Sequence, residues 1–252
     1  MKNHDYWCAP PNPLLLAENE VHVWRAPLEM SANNIEHLQH ILVDEEIERA
    51  SRFYFEKDRR NWIVVHALLR SILGQYLKSD PRRLRFTTND YGKPLIISPL
   101  VGKRLHFNLS HSGDFVLYAF AYEREVGVDI EQVRAGIAYR ELAAHYFSVH
   151  ECAALDALPA NLQEEAFFLC WSRKEAYIKA RGKGLSLPLN QFDVSLSPNE
   201  PPRLLGSREN PRGAEHWSLY NLFLERGYVG SLAIEESGWQ LCCWQWQGET
   251  RR

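Results

Sequence analysis

Residues Val126-Gly127-Val128-Asp129-Ile130-Glu131 alternate strictly, and this constrains the chain more than any other stretch. A strand turns successive side chains to opposite faces. Val126, Val128 and Ile130 therefore share one face, and Asp129 and Glu131 share the other, about 6–7 Å apart. The apolar face asks for a core, while the other holds two like charges on a rigid backbone. Such carboxylates repel unless a cation lies between them. An all-oxygen pair suits Mg²⁺, which keeps several waters and also binds phosphates. Taken alone, the pattern reads first as a solvated strand face running into a turn.

The remaining periodicity gives a chain of mixed helices and strands. Residues 21–24 read as a strand, and residues 44–55 and 59–78 carry helical spacing. In the second helix Ile63, Ala67, Leu68, Ile72 and Leu73 fall on one side, and Asp80-Pro81 ends it. Asn89-Asp90-Tyr91-Gly92 is a turn signal, and Gly113-Asp114 turns a strand over 105–109 into one over 115–122. Residues 139–158 and 161–181 read as helices, the latter ending near Gly182. Strands are predicted over 192–196, 217–224, 228–235 and 239–246, with a loop over 197–213. Each half then holds strands and two helices, a faint duplication with its boundary near 122–125.

The chain has 252 residues, 45% hydrophobic and 24% charged, which is ordinary globular composition. A net charge of −3 gives no sign of a nucleic-acid binder. The most apolar stretch, 62–73, is interrupted by His66 and Arg70, so no membrane span is expected, and residues 1–20 lack a signal-peptide layout. The five cysteines (Cys8, Cys152, Cys170, Cys242, Cys243) form no C-x-x-C pair. They make a poor disulfide framework and a poor zinc site, and they read as reduced thiols of a cytoplasmic protein.

Three further clusters carry chemistry. Glu175 and Lys179 lie four apart on one helix face, with Trp171 and Ile178 close by to anchor it. Such a spacing is often a plain surface pair, but the basic turn Gly182-Lys183-Gly184 follows it, a shape able to approach a phosphate. In Asn108-Leu109-Ser110-His111-Ser112, Ser110 and His111 offer donors to phosphate oxygens, although a lone histidine there is more often structural. Lys93 stands just past the turn at 89–92 and, by itself, is an exposed hairpin lysine.

The order of Tyr91-Gly92-Lys93-Pro94, the 107–112 strand, Gly127-Val128-Asp129-Ile130-Glu131 and Trp171-Ser172-Arg173-Lys174-Glu175-Ala176-Tyr177-Ile178-Lys179 resembles the 4′-phosphopantetheinyl transferase superfamily. The continuation Gly182-Lys183-Gly184-Leu185-Ser186-Leu187-Pro188-Leu189 is similar to its larger, Sfp-type branch. The resemblance runs from about Arg49 to Leu189. It implies an α+β fold, a pseudo-dimer of two similar α/β lobes in one chain with the active site in the cleft between them. Residues 1–122 would form the nucleotide-contacting lobe and 123–252 the lobe with the metal site. The resemblance further implies Asp129, Glu131 and Glu175 as Mg²⁺ ligands, with Mn²⁺ as a substitute. Lys179 would contact the pyrophosphate of coenzyme A. Lys93, Ser110 and His111 would hold the nucleotide phosphates, Arg49 would grip the 3′-phosphate, and Arg60 would assist. Glu46 stands where some members carry a lysine, and Trp62 where some carry a small hydroxyl residue, so this rim departs from the pattern.

The implied reaction moves the phosphopantetheine arm of coenzyme A to a serine of an apo acyl or peptidyl carrier protein and releases 3′,5′-ADP. Glu175, Lys179 and His111 would be the catalytic groups, with Glu175 or a metal-bound hydroxide taking the serine proton. A monomer is expected. Two rivals share these residues: a Mg²⁺-dependent hydrolase of coenzyme A or another nucleotide pyrophosphate, and a carrier-binding module without catalysis. Neither the carrier nor its docking surface is specified by the sequence.

Overall fold

The structure, a computed structural model, describes residues 6–97 and 103–248. It opens with strand β1 (Glu20–Pro27), followed by helices α1 (Ala32–Gln39), α2 (Asp44–Ser51) and α3 (Glu56–Leu77). A short hairpin β2 (Arg85–Thr88) and β3 (Pro94–Ile97) leads to β4 (Leu105–Ser112) and β5 (Phe115–Tyr122). The order then repeats. Strand β6 (Val126–Gln132) is followed by α4 (Tyr139–Tyr146), α5 (Val149–Asp156) and α6 (Ala160–Arg181). The hairpin β7 (Phe192–Val194) and β8 (Leu204–Ser207) precedes β9 (Trp217–Leu222) and β10 (Tyr228–Glu235). Among the described residues one strand stands outside the repeat, β11 (Gln240–Gln245).

The sheets repeat as well. One runs β11-β1-β5-β4 and the other β6-β10-β9, so β1-β5-β4 in the first lobe corresponds to β6-β10-β9 in the second. Each lobe lays a 22-residue helix, α3 or α6, on one face of its sheet. The chain is therefore a mixed α/β pseudo-dimer. Alternation sorts the side chains: Trp24, Tyr118 and Phe120 face α3, while Val21, Val23, Leu117 and Ala119 face the other lobe. Val126, Val128, Ile130, Leu232 and Ile234 meet them, forming a core between the sheets. Fully burying each such aliphatic side chain is worth about 1.5–3 kcal/mol. Strand β11 pairs parallel with β1 and so lies in the sheet of the first lobe.

The helical segment expected over 139–158 is two helices. Ser148 breaks it, accepting from the Glu151 N–H at 3.1 Å while the Glu151 carboxylate accepts from the Ser148 N–H at 2.9 Å. This reciprocal cap starts α5, and its Ser-x-x-Glu spacing was present in the sequence. The loop expected over 197–213 contains β8, whose Leu204 and Ser207 are buried against β7.

Helix α6 is fixed in rotation by two buried cations. The Lys174 ammonium is fully buried and uses its three donors on Glu151 (2.7 Å), the Leu189 carbonyl (2.7 Å) and the Phe192 carbonyl (2.6 Å). Arg173 donates to the Ser195 carbonyl at 2.6 Å and to Asn221 Oδ1 at 3.1 Å. Burial lowers its pKa to about 10.

The sheet side of α6 is narrow: Ser172, Ala176 and Ala180, spaced by four, are all buried. A Cβ at Gly127 would lie 2.1 Å from the Ala176 carbonyl oxygen and 2.3 Å from the Ala180 nitrogen. Only glycine lets helix and strand backbones approach so closely.

Two outcomes test this arrangement. Gly127→Ala forces α6 off β6 and should destabilise by about 1–3 kcal/mol or more, read by urea unfolding. Lys174→Met strands the Glu151 carboxylate in the core and should cost about 3–5 kcal/mol in the same measurement.

Candidate active site

The close contact of β6 with α6 carries Asp129 to a covered position. It is 2% exposed, so the solvated-face reading of the acidic pair does not hold for it. Its Oδ1 accepts from Lys179 Nζ at 2.6 Å and from Ser110 Oγ at 3.0 Å. Lys179 also donates to Ser110 Oγ at 2.9 Å, which leaves the third N–H of its ammonium available. Asp129 Oδ2 is buried and has no hydrogen-bond partner.

Glu131 and Glu175 stand half-buried to either side. Burial first, then repulsion from Asp129, raises the Glu131 pKa to about 7, against the opposing pull of Lys179 and Ser112. Burial likewise raises Glu175, and Lys179 lowers it in part. Lys179 is the ammonium beside both flanking acids, and its pull offsets their burial only in part. The carboxylate oxygens do not all lie within 4.8 Å of one another, as mutual repulsion and the hold of Lys179 on Asp129 require. An orphaned buried oxygen, two flanking acids and purely oxygen donors fit a hard divalent cation.

The edge strand β4 supplies the facing wall. Its alternation sends Asn108, Ser110 and Ser112 towards β6. There Asn108 Oδ1 accepts from the Val128 N–H at 2.9 Å, and Ser112 Oγ accepts from the Gln132 N–H at 3.1 Å. Ser112 also donates to Glu131 at 3.3 Å. Asn108 and Ser112 stand outside the expected set of site residues, although the polar alternation over 108–112 is their signal in the sequence. His111 projects from the opposite face of β4, exposed at the strand end, and so parts from Ser110. Partial burial, then the Lys179 charge, lowers its pKa.

Arg49 ends α2 in an exposed position, and among the described residues no carboxylate lies within ion-pair distance of it. Arg60 is less available, since its Nε donates to Glu56 at 2.8 Å. The departures from the family pattern have structural partners. Glu46 accepts from buried Arg70 at 2.7 Å and from the Val43 N–H at 3.1 Å. Trp62 stacks on His66 with centroids 3.8 Å apart. His66 Nδ1 lies 2.8 Å from the Trp62 carbonyl and donates to it, so Nε2 is left as an acceptor, and burial holds the ring neutral.

Lys93 is placed differently from the expected phosphate ligand. Its three donors reach Glu125 (2.7 Å), the Ala180 carbonyl (2.9 Å) and the Val126 carbonyl (3.3 Å). It ties the β2–β3 turn to the start of β6 and the end of α6. The basic turn after α6 is also held: Gly182, at φ 64°, caps the helix, its carbonyl accepts from Asn89 at 2.7 Å, and Lys183 pairs with Glu209. A pocket of about 270 Å³ opens beside Glu131, walled by Ile137, Leu142, Phe167, Phe168 and Trp171.

Burial works to raise the Glu125 pKa, but hydrogen bonds and charge from His106 and Lys93 overcome it and hold the group at about 2. A carboxyl depressed in the fold contributes stability above its ordinary value and loses it as pH falls towards the folded value. The stability gap between wild type and Glu125→Gln, read by urea midpoints, should be constant from about pH 7 to pH 5 and close progressively below about 4.5.

Residues 26–123 match the N-terminal family described as "4′-phosphopantetheinyl transferase, N-terminal", and residues 125–233 match the 4′-phosphopantetheinyl transferase superfamily. The chain is 36% identical to the 4′-phosphopantetheinyl transferase HetI of Nostoc sp. (strain PCC 7120) over 98% of its own length and 100% of that protein. It is 36% identical to the 4′-phosphopantetheinyl transferase Sfp of Bacillus subtilis (strain 168) over 68% of this chain and 72% of that one. A solved structure, the Thermotoga maritima holo-[acyl-carrier-protein] synthase, superposes on 44% of this chain and 62% of that chain at TM-score 0.35 and 18% identity, too distant to add to the fold description. With both lobes matched in order and a relative aligned from end to end, the chain belongs to the 4′-phosphopantetheinyl transferase superfamily.

Proposed function

We propose that this chain transfers the 4′-phosphopantetheine arm of coenzyme A to a serine hydroxyl of an apo acyl or peptidyl carrier protein, releasing 3′,5′-ADP. The observation that carries this reading is Asp129, buried, with one oxygen on Lys179 and Ser110 and the other unpartnered beside Glu131 and Glu175. The names of HetI and Sfp support it. Asp129, Glu131 and Glu175 are the proposed Mg²⁺ ligands, with Mn²⁺ a possible substitute. When bound, the cation supplies positive charge to the pyrophosphate oxygens as the β-phosphorus is attacked.

The chain's own groups divide the remaining work. The remaining N–H of Lys179 serves a phosphate oxygen that gains charge as 3′,5′-ADP departs. His111, with its lowered pKa, serves as a neutral hydrogen-bond donor and not as a charge. Ser110 positions Lys179 and Asp129 together. Glu175, made more basic by burial, takes the proton of the incoming serine. Arg49, with Arg60 assisting, meets the 3′-phosphate at the end of α2. Lys93 acts on the nucleotide side through the turn it anchors. In this division residues 1–122 hold the nucleotide and 123–252 hold the metal and the acceptor, and the pocket beside Glu131 lies where arm and serine meet. The chain works as a cytoplasmic monomer on a protein substrate, without nucleic acid or membrane.

Incubation with coenzyme A, Mg²⁺ and a panel of apo carriers, read by intact mass, should show one arm added to the carrier serine. Coenzyme A consumed with no gain on any carrier would leave a hydrolase in its place. Asp129→Ala and Glu175→Ala should lower turnover by roughly two orders of magnitude or more, since each removes a metal ligand. Chelation should abolish turnover in the wild type, and added Mg²⁺ should restore it. Either variant running at wild-type rate in low Mg²⁺ would sink the ligand assignment.

A further inference from the structure

Strand β11 runs parallel to β1 at the edge of the first sheet, with Cys242 in register beside His22 and Gln240 beside Glu20. Glu20 and His22, two residues apart, share a strand face, and Cys242 joins them on it. A carboxylate oxygen of Glu20, a ring nitrogen of His22 and the Sγ of Cys242 all lie within 4.8 Å of one another. Among the described residues this is the one such trio of ligating side chains. It lies on the opposite edge of the sheet from β4, and the transferase reaction has no use for it.

We propose that Glu20, His22 and Cys242 form a binding site for Zn²⁺, which fastens β11 to β1. A mixed oxygen, imidazole and thiolate set selects a borderline cation such as Zn²⁺ over Mg²⁺, so the two metal sites take different ions. The spacing of Glu20 and His22 suits tetrahedral geometry. Ligands about 2.0–2.1 Å from a tetrahedral zinc stand roughly 3.3 Å apart, and His22 Nε2 lies 3.2 Å from Glu20 Oε2.

The outer contacts are in place as well. Tyr76 Oη lies 2.7 Å from His22 Nδ1 and also accepts from Trp24 Nε1 at 2.8 Å, which fixes the ring with Nε2 towards Glu20. The Ala17 N–H donates to Glu20 Oε2 at 2.9 Å. His22 is buried, while Glu20 and Cys242 are half-exposed and leave a way in. On binding, the Cys242 thiol releases its proton to solvent. The neutral imidazole keeps one proton, on Nδ1, donated to Tyr76. Solvent takes the fourth position. The adjacent Cys243 belongs to the core between the lobes and is not a ligand.

The test uses the full chain, reduced, in saturating Mg²⁺, titrated with Co²⁺ as a spectroscopic probe and with Zn²⁺. One equivalent should bind, with the thiolate-to-cobalt charge-transfer band and the intense visible absorption of a tetrahedral ion. Cys242→Ser should lose the band, Cys8→Ser should keep it, and Tyr76→Phe should weaken binding on the order of 10–100-fold. On the wild type itself, Zn²⁺ should protect Cys242 from iodoacetamide, read by peptide mass. The proposal fails if the wild type shows no thiolate band, if the band survives Cys242→Ser, or if Cys242 is alkylated equally with and without Zn²⁺.

Discussion

The distance between the backbone of α6 and that of β6 governs the second lobe. Gly127 removes the side chain that would hold the two apart, and Ala176 and Ala180 present the helix at its thinnest. At that separation Lys179 reaches Asp129 directly, and Glu175 stands close enough for the charges to couple. The next requirement is rotation about the helix axis. Arg173 and Lys174 each have their own buried partners on another side of α6, so the Glu175–Lys179 face cannot turn away. Polar groups under a helix are costly unless every one is paired. Here Arg173 and Lys174 are paired, whereas one Asp129 oxygen and the hydroxyls of Ser172 and Ser231 are buried without a hydrogen-bond partner, the Asp129 oxygen at the centre of the site.

The seam between the lobes follows a different rule. Strands β4 and β6 are edges of separate sheets, and edge backbone needs partners. Asn108 and Ser112 accept from the N–H groups of Val128 and Gln132, so side chains replace a ladder along this line. Continuing one sheet into the other would have filled the seam with backbone. Side-chain pairing keeps the strands apart and lets Ser110, between the two acceptors, turn to Asp129 and Lys179.

Periodicity made much of this visible in advance. The alternation over 126–131 and the helix ending at Gly182 both report one face of one element, which is information a sequence carries locally. The burial of Asp129 was not legible, because the element covering it begins at Ala160 and nothing near 129 announces it. The burial of Lys93 is hidden for the same reason: its partners, Glu125 and the Ala180 carbonyl, lie far along the chain, and a lysine after a turn otherwise reads as exposed. The spacing of the cysteines among themselves reports no ligand set. Cys242 meets Glu20 and His22 only because β11 pairs with β1, and no spacing rule spans that separation. Strand β8 is too short to show a period.

The return of β11 to the first sheet bears on how the protein is made. A ribosome releases β1, β5 and β4 long before β11, which follows the whole second lobe. At 5–20 residues per second, the roughly 120 residues from the end of β5 to β11 take roughly 6–25 s to appear. Throughout that interval the β1 edge lies open, with Val21 and Val23 lacking their neighbours Leu241 and Cys243. An uncovered strand edge invites pairing with other chains. The nascent first lobe is therefore the stage at which the β1 edge is most open to pairing with another chain.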